Sequence, residues 1–258
     1  MLWKERYATM GGGLRWLGSR YAVLFFGVLL GCYLLDVASP ALDQLAGARP
    51  SDLSRTEMNL ALRGSSTALA VLAMLAVAAA SAVSLTGERE QDTWVSLATT
   101  LLTPGEIIRA KQFGALWSAR RVGFALLVVW AVGILLGAIH PLGVLAVAAL
   151  VFIVAWLIAA VGVFISGRAR NSTRSLAWTF IALLIGLANV PGTLWTSLVS
   201  YPQVTALWLN HGPLEAAPWA LTPFVVVVFI GVTGIYAGVA ALLSIWSARR
   251  LRATWGQV

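Results

Sequence analysis

Uncharged apolar runs alternate with short charged stretches along the chain. The runs cover Tyr21 to about Val37, Thr67–Leu85, Val122–Ile139, Leu142–Ile165, Leu176–Val190 and Phe224–Ile245. Most reach the roughly 17 residues that a helix needs to cross a bilayer. The pattern predicts an all-α integral membrane protein with six transmembrane helices in one domain. Before the first run, residues 1–20 mix Trp3, Tyr7 and Trp16 with Lys4, Arg6, Arg15 and Arg20 around a Gly11-Gly12-Gly13 break. That mixture suits an interfacial helix. A basic stretch ahead of a short apolar run also resembles a signal peptide, although Ser39-Pro40 makes a poor exit site. Ala38–Ser66 reads as a polar loop, and His140-Pro141 as the turn of an antiparallel hairpin. Residues 191–221, interrupted by Pro202, Pro213 and Pro218, read as a re-entrant or interfacial region on the outer side.

Charge sets the orientation. With six spans, fifteen of the eighteen Lys and Arg residues fall on one side, leaving Arg49, Arg55 and Arg63 on the other. A seventh span would put the arginines after Trp246 on the wrong side of the positive-inside bias. Both termini are therefore expected to be cytoplasmic, in a multi-pass protein of the inner (plasma) membrane.

Composition agrees with this class. The chain is 59% hydrophobic and 11% charged, against roughly 25% charge in soluble domains. Its net charge of +8 sits beside apolar runs, so it reads as topology and bilayer contact rather than nucleic-acid binding. One cysteine, Cys32, and two isolated histidines, His140 and His211, offer neither a disulfide nor a metal cluster. The spans carry no Lys, Arg, Glu or His, and Asp36 lies at the outer end of the first, which argues against an ion-coupled carrier. Gly27 with Gly31, Gly133 with Gly137, and Gly234 with Gly238 form GxxxG pairs, candidates for close helix packing. Tryptophans near the predicted boundaries read as anchoring belts.

The stretch 87–117 breaks this pattern. Gly87 to Lys111 holds four of the ten acidic residues: Glu88, Glu90, Asp92 and Glu106. Trp94, Leu97, Ala98 and Leu101 share one helical face, with the first three carboxylates ahead of it. A second helix is predicted from Thr103 as N-cap, Pro104 at the first position and Glu106 closing a capping box. The chain has no Gly-x-x-x-x-Gly-Lys-Ser/Thr phosphate loop, so a nucleotide held that way would sit on another chain.

Taken together, these features resemble the permease subunits of the ABC-2 type exporter family. The most specific part is Glu88-x-Glu90-x-x-Thr93-Trp94, Leu97, Thr103-Pro104-x-Glu106-Ile107 and Lys111. The chain departs from the family at Thr100-Leu101-Leu102, where Thr-Pro-Leu is usual. The resemblance implies a coupling region at 87–117 that docks on a separate ABC ATP-binding subunit. Its contact residues would be Glu88, Arg89, Glu90, Asp92, Thr93, Trp94, Leu97, Thr103, Pro104, Glu106 and Lys111, with Arg168, Arg170 and Arg174 in the next cytoplasmic loop. It further implies a second permease copy or paralogue, ATP and Mg²⁺ held only by the partner subunit, and no catalytic residue on this chain. Two other readings remain: a membrane-embedded lipid-modifying enzyme, and a non-transporting membrane scaffold related to permeases.

Overall fold

The computed structural model describes residues 52–91, 93, 102–135, 141–187 and 221–255, with side chains over most of these. Seven helices follow in order: α1 (Asp52–Ala82), α2 (Thr86–Glu90), α3 (Pro104–Ser118), α4 (Arg120–Leu135), α5 (Pro141–Arg168), α6 (Ser172–Leu187) and α7 (Leu221–Trp255). No strand occurs among the described residues. The predicted first span, the interfacial helix and the outer region at 191–220 lie outside them, as do Asp92, Trp94, Leu97 and the helix expected from Trp94.

Three helices are long and apolar enough to cross a membrane, in α1, α5 and α7; α3 and α4 make a fourth if the bent pair is one span. Apolar α6 is shorter. The described residues are thus all-helical, with three to four helices able to span a membrane, which makes the chain a membrane protein. Two helices extend beyond the expected spans. α1 begins at Asp52, so the second half of the predicted polar loop is helical. α7 runs through Arg249, Arg250 and Arg252 to Trp255, so these arginines continue the helix of the last span. Both helices exceed the hydrocarbon core: at about 1.5 Å per residue, α7 is roughly 50 Å long against a core of about 30 Å.

Packing is organised around α1 and α5. α1 contacts α3, α4, α5 and α6, while α5 contacts α1, α3, α6 and α7. Leu62, Met74 and Val77 of α1 meet Val129 and Trp130 of α4 and Val147 and Leu150 of α5 in one buried cluster. In lipid, apolar side chains gain little by leaving the solvent, so close fit and hydrogen bonds carry more of the association. The fit is tightest at Gly162, where an added Cβ would stand 1.9 Å from Ser81 Oγ and 2.6 Å from Ser81 Cβ. The polar contacts include Trp130 Nε1, which donates to Ser66 Oγ at 3.1 Å inside the bundle.

The glycine pairs fare differently. Gly133 is buried in α4, whereas Gly137, Gly27 and Gly31 lie outside the described residues. An added Cβ at Gly234 or Gly238 would meet nothing within 4 Å, so neither marks a close approach within the described bundle.

Candidate functional site

Charged residues concentrate at one end of the bundle, where α1 breaks. Thr86 stays buried there, and α2 follows after the turn at 83–85. The break exposes amide groups that the helix no longer satisfies. Ser166, near the end of α5, accepts both Leu85 N–H and Thr86 N–H at 3.0 Å. The hydroxyl of Ser175, on α6, donates to Ala82 O at 2.6 Å. Two serines from different helices therefore close the broken end of α1.

α2 carries the first carboxylates. Glu88 pairs with Lys111 of α3 at 2.9 Å, with side chains only 15% and 4% exposed. Thr93 Oγ1 also donates to the Glu88 carboxylate, while Thr93 N–H donates to Glu88 O at 3.0 Å. Glu90 reaches the other way: its carboxylate accepts the Ser172 N–H and the Ser172 hydroxyl, both at 2.7 Å. Glu90 is exposed at the end of α2. There the Ser172 hydroxyl and amide hold its carboxyl below the usual carboxylate range. Between these two, Arg89 donates to Gly167 O at 3.2 Å and Ala169 O at 3.4 Å. α2 is thus tied to α3, to α6, and to the end of α5 and the residue after it.

α3 has the start its sequence predicts. Glu106 N–H donates to Thr103 Oγ1 at 3.4 Å, and Thr103 N–H returns to Glu106 Oε2 at 2.8 Å, a complete capping box with Pro104 inside the first turn. These contacts also lower the Glu106 carboxyl, the Thr103 amide most. The inner face of α3 reaches three helices. Ile107 and Ile108 pack with Leu85, Val163 and Leu251. Gln112 donates to Ser244 Oγ of α7 at 2.8 Å and accepts from Trp156 Nε1 of α5 at 3.5 Å. Ser118 donates back to α1, at Ala76 O, at 3.4 Å. The outer face shows Thr103, Glu106, Arg109 and Phe113, the last 51% exposed. A bend of 53° then separates α3 from α4.

The expected contact residues divide accordingly. Glu88 and Lys111 are spent on each other and Glu90 on Ser172, so these three hold the segment together. Thr103 and Glu106 are exposed but committed to the cap. Arg170 and Arg174 lie exposed on the loop and first turn between α5 and α6, with Arg168 at the end of α5. Ser166, Ser172, Ser175 and the Gln112–Ser244 pair escape a sequence reading, because a serine or glutamine in an apolar run gives no sign of its partner. Arg109 and Phe113 were not singled out in the sequence, although their i, i+4 spacing on one face of α3 is the signal that could have found them.

Together these contacts make a charged, hydrogen-bonded platform of α2, α3 and the start of α6. Among the described residues no three His, Cys, Asp or Glu side chains converge on a metal-binding position. Its architecture places the chain among all-helical membrane proteins. Beyond that class, comparison with family models and with curated proteins gives no match.

Proposed function

We propose that the chain is the membrane-spanning permease subunit of an ATP-driven exporter of the ABC-2 type, and that α2 and α3 form its coupling region. One observation carries the reading: α3 presents an open outer face while its inner face is bonded to α1, α5 and α7 together. A partner that pushes on Glu106, Arg109 and Phe113 moves a helix already fastened to three spans through Gln112 and Ser118, and to α2 through Lys111. Rocking of packed helices is the motion such a lever drives. ATP and Mg²⁺ would sit on the partner, and a second permease copy would complete the substrate path.

The reading differs from the resemblance in which residues face the partner. Glu88 and Lys111 set the angle between α2 and α3, and the docking contacts fall on Arg109 and Phe113. The test is purification of the intact chain from its host in mild detergent, with an Arg109→Glu, Phe113→Ala variant beside it. A stoichiometric ATPase that accompanies the native chain and is lost from the variant supports the proposal. An ATPase retained equally by both would remove α3 as its docking face.

A further inference from the structure

We infer that the cleft between the ends of α5 and α7 seats the headgroup of an anionic phospholipid, with Arg168 on the phosphate and an acyl chain along α7. Arg168 is exposed, yet its guanidinium is held in place. Its central carbon stands 4.7 Å from the Phe164 ring centroid and 6.0 Å from that of Trp246. The two rings stack on each other at 5.7 Å. Two aromatic faces orient a guanidinium without using its N–H donors. Among the described residues none of those donors has a hydrogen-bond or carboxylate partner. A planar fork of donors fixed at a helix end matches a phosphate.

The surroundings favour a lipid over a soluble phosphate. Ile235, Val239, Leu242 and Trp246 follow at spacings of four, three and four, one stripe of α7. They are 65%, 41%, 68% and 60% exposed. The eleven-residue rise from Ile235 to Trp246 is about 16 Å, one leaflet of a hydrocarbon core about 30 Å thick. The stripe therefore ends on the Trp246–Arg168 pair, where a chain occupying one leaflet meets its headgroup. Only 11% of the apolar stretch of α7 is buried, against 56% for α1. Arg249 and Arg250 follow Trp246 by three and four residues and add positive charge on that side. A cavity of about 30 Å³ beneath, walled by Arg89, Phe164, Gly167 and Arg250, has room for a water but not a phosphate. The headgroup accordingly sits on the rim, on Arg168.

The inference needs only the membrane class, so it stands whether or not α3 docks an ATPase. Native mass spectrometry of the full chain, released from bilayers of phosphatidylcholine and phosphatidylglycerol, reads it directly. The native chain should retain phosphatidylglycerol selectively. Arg168→Gln should weaken retention about fivefold, as expected for one interfacial arginine, and Trp246→Leu, which changes no charge, should weaken it too. Arg168→Lys should restore only part, because an ammonium lacks the fork. Arg174→Gln, at the same end of the bundle, should retain lipid as the native chain does. Equal retention by all variants would overturn the site, and so would equal loss in Arg174→Gln, which would indicate a diffuse field. A dimer that appears in place of bound lipid and is lost on Trp246→Leu would assign the stripe to a second copy instead.

Discussion

Gly162→Ala is the substitution whose effect follows most directly from the packing. The new Cβ would stand 2.6 Å from Ser81 Cβ, whereas ordinary contacts begin at 3.4 Å, so α1 and α5 must separate by roughly 0.8 Å. Rotation of the Ser81 hydroxyl relieves its 1.9 Å contact but leaves the Cβ contact, which only backbone movement can change. Overpacking of this kind costs about 1–3 kcal/mol. Alanine is also a better helix former than glycine by about 1 kcal/mol, so the single substitution nets roughly 0–2 kcal/mol of destabilisation. The clash itself is isolated by a double-mutant cycle with Ser81→Gly, which removes both crowding atoms. Reversible unfolding in mixed detergent micelles should give a coupling of about 1–3 kcal/mol, the pair being more stable than the two singles imply. Ser166 lies one turn beyond Gly162, so the same separation should loosen its grip on the Leu85 and Thr86 amides. Zero coupling would refute the close approach of α1 and α5.

Two further outcomes are expected. Glu88→Gln alone should destabilise the chain by about 3 kcal/mol by leaving a buried ammonium, whereas Glu88→Gln with Lys111→Met should recover most of that loss; a double variant no better than the single, by the same unfolding assay, would mean that the pair does not act as a unit. Arg170→Cys, on the exposed bend between α5 and α6, should react in intact cells with membrane-permeant maleimides only; labelling by an impermeant reagent would reverse the proposed orientation.

The parts of this architecture that were legible in the sequence are those set by local chemistry. Thr103, Pro104 and Glu106 specify the start of α3 within four residues, and their capping box forms as read. The uncharged run from Leu142 to Ile165 became α5 with ends shifted by no more than three residues. Helix ends in charged sequence were harder, because hydropathy reports where lipid lies and not where the backbone stops being helical. Asp52, Arg55, Glu57 and Arg63 therefore read as a loop although they continue α1, and Arg249 to Arg252 likewise continue α7. The site was less visible still. Glu88 and Lys111 are 23 residues apart, and Glu90 and Ser172 are 82 apart. Only the meeting of α2 with α3 and α6 turns those carboxylates from candidate partner contacts into internal ties. The close approach of Gly162 to Ser81 was missed for a related reason: a GxxxG search finds glycines paired along one helix, and here the small residue opposite is a serine on another.

The most direct test of the account asks what leaves the membrane with the intact chain. After mild solubilisation from its host and transfer to lipid nanodiscs, the chain should carry a stoichiometric subunit with a Gly-x-x-x-x-Gly-Lys-Ser/Thr loop, and the Arg109→Glu, Phe113→Ala variant should insert normally but lose it. Recovery of the native chain without any ATPase, repeated after crosslinking in intact membranes, would contradict the permease reading.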